Sequence, residues 1–315
     1  MTAPLSPLDL REDAVGIVGV GLIGGSIAAA LKARGFTGPI IGSGRDPARL
    51  EAARRAGLLD KVTTGPPRAS LIVVCTPVDR IAADVRAAAE LAAPGTLITD
   101  AGSVKGPLCR ELAGALPEGV AFIGAHPLAG SEKQGFEHAA ADLFVDALCV
   151  IVGVQPSGCD AGVQASACDV GVQASACPDS LKAVLQRELQ RTERFWQSLG
   201  ARTVRMTAED HDRAVARTSH LPHVVAAALV ASLTPSDAPL AATGFRDTTR
   251  IAAGALDLWT AILLANAPAT LAALDTFRDR LDEYRTAIAE RDAAKLKRLL
   301  AQSKTTRDAL RKNQA

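Results

Sequence analysis

AVGIVGVGLIGGS, running from Ala14 to Ser26, decides the fold. Ala14 to Val20 is apolar without polar alternation, the pattern of a strand buried on both faces. Directly behind it come Gly19, Gly21 and Gly24, spaced as GxGxxG, and then small and apolar residues that read as a helix from Gly24 to Arg34. A strand, a glycine turn and a helix in that order are what a dinucleotide's pyrophosphate requires. The first glycine permits the turn, the second lets backbone approach the phosphates, and the third lets helix and strand pack closely. The helix start then offers unpaired N–H groups and the positive end of its dipole. Gly19, Gly21, Leu22, Ile23 and Gly24 are the candidate cofactor contacts, and Thr76 and Pro77 join them at the end of the apolar run Leu71 to Pro77.

Outward from this turn, strand-like and helix-like stretches alternate. Pro39 to Gly42, Leu71 to Pro77, Thr96 to Gly102, Val120 to Pro127 and Ala147 to Gly153 read as further buried strands. Asp46-Pro47 has the form of an N-cap followed by proline at the first helical position, and Gly57 that of a helix stop. Six such strands separated by helices predict a mostly parallel, doubly wound α/β domain over residues 13–206. From Thr207, where TAED has the form of a capping box, only helical spacing remains. An all-α domain is expected over 207–315. Leu271, Leu274, Phe277, Leu281, Tyr284 and Ile288 step along one helix face, which packs either inside its own domain or against a second subunit.

Composition narrows the function. The 315 residues carry a net charge of +1 and only 3% aromatics, with no basic stripe, so nucleic acid is not an expected partner. The polar, acidic start lacks the pattern of a secretory signal, and the longest apolar runs, such as Val224 to Leu233, are too short to span a bilayer. A cytoplasmic protein acting on a small molecule is the expectation. Cys75, Cys109 and Cys149 read as buried thiols. Cys159, Cys168 and Cys177 belong to a nine-residue repeat, GVQPSGC then GVQASAC twice, within 153–178. Poor in large apolar groups, the repeat reads as an expanded surface loop, and without CxxC spacing no metal site is expected.

The second strand's end selects the cofactor. Where an acid would hold the ribose hydroxyls of NAD stands Gly44, flanked by Ser43 and Arg45. A hydroxyl and a guanidinium suit the 2′-phosphate of NADP, which is favoured over NAD. A solvated Arg45, or an Asp46 that contacts the ribose, is the competing reading. All five histidines fall between His126 and His223. His126, in GAHPLAGSEK, and Ser103 and Lys105, in DAGSVK, follow carboxyl ends of strands, the edge at which such sheets bind ligands.

GVGLIGGS, DAGSVK, HPLAGSEKQG, HDRAVARTSHLPH and GFRDTTRIA, in that order, resemble the prephenate/arogenate dehydrogenase family, as do Trp259 and Asn266. The resemblance spans Ala14 to Asn266. It implies a Rossmann-like domain joined to an all-α dimerisation domain, a homodimer, and oxidative decarboxylation of prephenate or arogenate with hydride transfer to NADP or NAD on the route to tyrosine. It further implies that His126 accepts the proton of the C4 hydroxyl and that Ser103 holds the imidazole in its tautomer. Arg250 would clamp a carboxylate, His220 and Ser131 would line the pocket, and Lys105 would support its polar network. Read as residues alone, His126 also suits a turn, Ser103 an N-cap and Arg250 a helix surface; His138 and His211 read as surface or supporting groups. Another dehydrogenase or an imine reductase on this architecture, or an NADP-binding sensor without catalysis, is the alternative.

Overall fold

A computed structural model of the protein describes residues 12–130, 133–153 and 179–312. Its described residues fall into two compact units, one ending at Asn266 and one beginning at Ala267. The first is built on a sheet of eight strands in the order β3-β2-β1-β4-β5-β6-β7-β8. These are β1 (Val15–Val18), β2 (Ile40–Ser43), β3 (Lys61–Thr63), β4 (Leu71–Val74), β5 (Leu97–Asp100), β6 (Ala121–Pro127), β7 (Leu148–Gly153) and β8 (Arg202–Arg205). The first six are parallel; β7 runs antiparallel to β6, and β8 follows β7 in parallel. Chain order reverses between β1 and β4, and such a switch point is where an open α/β sheet forms its ligand crevice. The mostly parallel, Rossmann-like domain read from the sequence is the observed one.

Two strands escaped the sequence reading. β3 has three residues with Lys61 and Val62 exposed, and β8, RTVR, alternates basic residues along the sheet's margin. Neither is apolar enough to announce itself, and charged, short margins are how sheets avoid pairing with other chains.

The helices α1 (Leu22–Ala33), α2 (Pro47–Arg55), α3 (Ile81–Glu90), α4 (Gly106–Leu112) and α5 (Asp179–Ser198) complete the sheet domain. Apolar clusters lie on both faces. One joins Ile27 and Leu31 of α1 to Phe144, Phe195 and Trp196; the other joins Val85 of α3 to Ile98, Leu108 and Val152. Asp46 caps α2, its carboxylate accepting from the N–H groups of Ala48 and Arg49, so the N-cap reading of this residue holds. Cys109 and Cys149 are buried and Cys75 half-buried, all as thiols. Burial pushes the Cys75 and Cys149 thiols far up in pKa, which makes them inert. The GVQASAC repeat lies outside the described residues.

Beyond β8 the described chain is helical: α6 (Ala208–Val215), a π-helical stretch (Ala216–His220), α7 (Leu221–Ala231), α8 (Thr243–Thr249), a 3-10 turn (Arg250–Ala253) and α9 (Leu256–Ala265). Thr207 caps α6 by accepting from the Asp210 N–H at 2.9 Å, as the TAED signature anticipates. The second unit is a pair of helices in mutual contact, α10 (Ala267–Ala289) and α11 (Ala293–Lys312). Among the described residues no single helix is long and apolar enough to cross a membrane.

Candidate active site

The glycine turn is built as its chemistry demands. Gly19 has φ +91°, and a Cβ there would lie 2.9 Å from the carbonyl of Cys75. A Cβ on Gly24 would sit 2.2 Å from the Gly19 oxygen. Around Gly21, by contrast, a Cβ would meet nothing within 4 Å. The outer glycines are therefore held by packing, while the middle one fronts open space where a ligand's phosphates fit. Beside Gly19, the hydroxyl of Thr76 is buried without a hydrogen-bond partner, an unusual state that a bound polar ligand would relieve. Ser43 is buried at the end of β2, its carbonyl accepting from the Gly19 N–H at 2.8 Å. Arg45 is exposed. A Cβ on Gly44 would approach nothing closer than 3.7 Å, so packing does not exclude an acid at this position.

Next along the same edge, Asp100 ends β5. Its carboxylate accepts from Ala125 N (3.0 Å), Gly102 N (2.9 Å) and the Lys105 ammonium (2.5 Å). Lys105 also donates to the Gly102 carbonyl at 2.8 Å, and both charged side chains are fully enclosed. Ser103 sits half-buried in the turn between them.

β6 pairs Ile123 with Thr99 of β5, so Gly124 stands level with Asp100 and His126 overhangs that strand by two residues, about 7 Å. Nδ1 of His126 lies 2.8 Å from Nε2 of His211. His211 is completely buried on α6, and its Nδ1 lies 2.7 Å from the carboxylate of Asp212. Asp212 in turn accepts the N–H groups of Lys105 (2.9 Å) and Gly106 (2.7 Å) at the start of α4. A Cβ on Gly106 would fall 2.8 Å from an Asp212 oxygen, so glycine is what admits the carboxylate.

A third imidazole joins through α9. Asn266, at the end of that helix, donates from Nδ2 to the backbone carbonyl of Asp212 (2.8 Å) and lies 3.1 Å from Nδ1 of buried His220. His223 stacks on Trp259 with ring centroids 3.3 Å apart, and His220 meets the same indole edge-on. The helix is opened into its π stretch just before Pro222, whose ring lacks an N–H and would clash with the Thr218 carbonyl in a regular helix.

These surroundings set the basicity of the rings. Burial, helped by His211, Lys105 and His220, pushes His126 well below the usual histidine pKa. Burial lowers His220 to about 4 despite Asp212 nearby. Both imidazoles are neutral at neutral pH.

The structure thus brings His126, Lys105 and His220 into one bonded set. It does so through Asp100, His211, Asp212 and Asn266, to which the sequence reading gave no central part. Of the two readings of His211, surface or supporting group, its burial behind His126 fits the second, while His138 is exposed. Nδ1 of His126 is engaged by His211, and Ser103, expected to hold the imidazole in its tautomer, lies in the turn after β5. Arg250 is exposed on the 3-10 turn that packs against α7. Arg246 donates to the Ala241 carbonyl. Ser131 lies outside the described residues. A signal for the missed pair existed: Ala208, His211, Asp212 and Val215 are the buried positions of α6, spaced three and four apart, so an acid and an imidazole occupy a core-facing stripe.

Comparison with known proteins gives the family. Residues 27–163 match the family described as prephenate dehydrogenase, nucleotide-binding domain, and residues 207–302 match prephenate dehydrogenase, dimerization domain. The chain is 32% identical to a prephenate dehydrogenase of Lactococcus lactis, over 93% of this chain and 76% of that one. It is 33% identical to a cyclohexadienyl dehydrogenase of Zymomonas mobilis, over 94% and 96%. Among solved structures it resembles prephenate dehydrogenase from Aquifex aeolicus, in complex with hydroxyphenyl propionate and NAD+, with TM-score 0.79 and 27% identity over 96% of this chain and 99% of that one. It also resembles Synechocystis arogenate dehydrogenase, with TM-score 0.69 and 30% identity over 94% and 99%. With both domain models matched and relatives above 30% identity along nearly its whole length, the chain belongs to the prephenate dehydrogenase family.

Proposed function

We propose that the protein oxidatively decarboxylates prephenate or arogenate with hydride transfer to NADP or NAD, in the route to tyrosine. The observation that carries this reading is His126: a neutral imidazole at the binding edge of the sheet, held by one ring nitrogen. The other nitrogen accepts the proton of the C4 hydroxyl, the work of a general base. The bound nicotinamide supplies the acceptor for the hydride of C4. Loss of hydride and proton makes C4 a ketone; cleavage of the C1 carboxylate releases CO2 and sends its electron pair through the ring to that oxygen. The imidazolium of His126 then returns the proton to the resulting phenolate, so the histidine ends as it began.

Arg250 clamps a substrate carboxylate through its planar fork, and His220, Ser131 and Ser103 line the same pocket. Lys105, enclosed and bound to Asp100, supports the polar network. Gly19, Gly21, Leu22, Ile23, Gly24, Thr76 and Pro77 hold the cofactor. NADP is favoured because Gly44 offers no carboxylate to the ribose while Ser43 and Arg45 flank it. A homodimer is inferred from exposed Leu256, Leu264, Leu271, Leu281 and Ile288, large apolar side chains that a lone chain leaves in water. We place the enzyme in the cytoplasm, with no nucleic-acid or membrane partner.

The test is steady-state reduction of both cofactors with both substrates. Turnover of one substrate, falling at least ~100-fold in His126→Asn with little change in substrate Kd, is the expected result. Equal rates in the variant would remove the assignment.

A further inference from the structure

Asp212 is the anchor of an internal hydrogen-bonded string whose protons can be counted. Its carboxylate receives two backbone N–H groups, from Lys105 and Gly106, which can only donate. Its third partner, Nδ1 of His211, therefore meets an acceptor and carries the proton of that bond. As in other Asp–His couples, the ring nitrogen facing the carboxylate donates and the far nitrogen, here His211 Nε2, is offered as an acceptor. The 2.8 Å contact from His126 Nδ1 to that acceptor then requires an N–H on His126.

The second branch is fixed independently. The carbonyl of Asp212 can only accept, so the Asn266 atom beside it is the amide nitrogen. The same nitrogen contacts His220 Nδ1, which is thereby an acceptor, and the proton of this neutral ring sits on Nε2.

We propose that His211 and Asp212 are positioning residues that hold the proton of His126 on Nδ1 and leave its Nε2 as the acceptor, while Asn266 sets His220 to the opposite tautomer with Nε2 as a donor. The inference rests on His126 being the proton acceptor of the reaction. It assigns the tautomer to His211, where the sequence suggested Ser103. It also supplies what a buried base lacks: when His126 takes the substrate's proton, its Nδ1–H already points at a lone pair backed by a carboxylate, which stabilises the imidazolium as it forms.

The experiment is NMR of the full chain with ring-15N histidine at pH 7.5, which distinguishes protonated from bare ring nitrogens, together with kinetics of two variants. The expected spectrum has His126 protonated at Nδ1 and His220 at Nε2. His211→Leu removes the acceptor, mixes the His126 tautomers and lowers kcat at least ~10-fold at similar substrate Kd. His211→Gln, whose amide oxygen reaches the place of Nε2, restores the Nδ1 proton and most of the lost kcat. A wild-type His126 protonated at Nε2 overturns the proposal, as does a His211→Gln variant as slow as His211→Leu. Should His211→Leu fail to fold, the wild-type spectrum and His211→Gln still decide. Should the wild type turn over neither substrate, the proposed reaction falls while the spectrum still judges the tautomers.

Discussion

Lys105→Met tests how much of the site's order depends on one enclosed ion pair. The ammonium of Lys105 and the carboxylate of Asp100 are both fully inaccessible and 2.5 Å apart. Methionine has a similar reach and no charge, so it fills the space while leaving Asp100 with only the N–H groups of Gly102 and Ala125. Removing one partner of a buried pair destabilises by about 3–5 kcal/mol, because the remaining charge stays desolvated. At roughly 2–4 °C per kcal/mol for a chain of a few hundred residues, the melting temperature falls by roughly 10 °C.

Adding Asp100→Asn separates charge from shape. The amide oxygen still accepts from Ala125, but its NH2 group now faces the Gly102 N–H, leaving one part-buried donor unmet at about 1–3 kcal/mol. The double variant is therefore more stable than Lys105→Met alone, and a thermal-melt cycle on the four proteins measures the difference. The same cation helps hold His126 in its neutral form, so Lys105→Met also moves the acid limb of kcat/KM to higher pH. Two results refute this reasoning: a loss under ~1 kcal/mol in Lys105→Met, or a double variant less stable than the single.

Gly44→Asp introduces the missing ribose acceptor where a Cβ meets ordinary contacts only, and with Arg45→Asp it shifts the ratio of kcat/KM for NADP over NAD toward NAD. An unchanged ratio in both variants removes the NADP inference. The depressed pKa of His220 ties stability to pH. Between about 6.5 and about 4 the unfolded ring binds a proton that the folded ring refuses, so stability falls as pH drops through that window and levels off below it. The difference of about 2.5 units amounts to about 3 kcal/mol. Denaturant titrations at pH 7 and pH 4 should show a smaller acid loss in His220→Gln than in the wild type, and identical losses would contradict the burial argument.

The sheet domain was legible because its signals are local. Four buried residues in β1, three glycines and a helix start lie within twenty positions, and five of the later strands carry a short, mainly apolar stretch of their own. β3 and β8 lacked that signal because a sheet's margins must be short or charged. The site was half legible for a related reason. His126 lies at the end of β6 and Lys105 just beyond the end of β5, places whose chemistry sequence patterns reveal, whereas Asp212 and Asn266 act through bonds across 107 and 46 positions, to Lys105 and His220. No periodicity encodes such partners; only the oddity of an acid and an imidazole on the buried stripe of α6 hinted at them.

The π-helical stretch explains how one helical run serves two imidazoles. His211 and His220 are nine residues apart, which at 100° each would put them about half a turn out of phase on a regular helix. Five residues of wider winding, with bonds to the fifth residue instead of the fourth, take back part of that rotation. Asn266 can then meet the backbone of Asp212 and the ring of His220 with one amide. Pro222 is the residue that makes the opening favourable, since a regular turn would press its ring against the Thr218 carbonyl. A helix interruption and a proline, each unfavourable taken alone, thus place a hydrogen-bond acceptor and a donor in the same network.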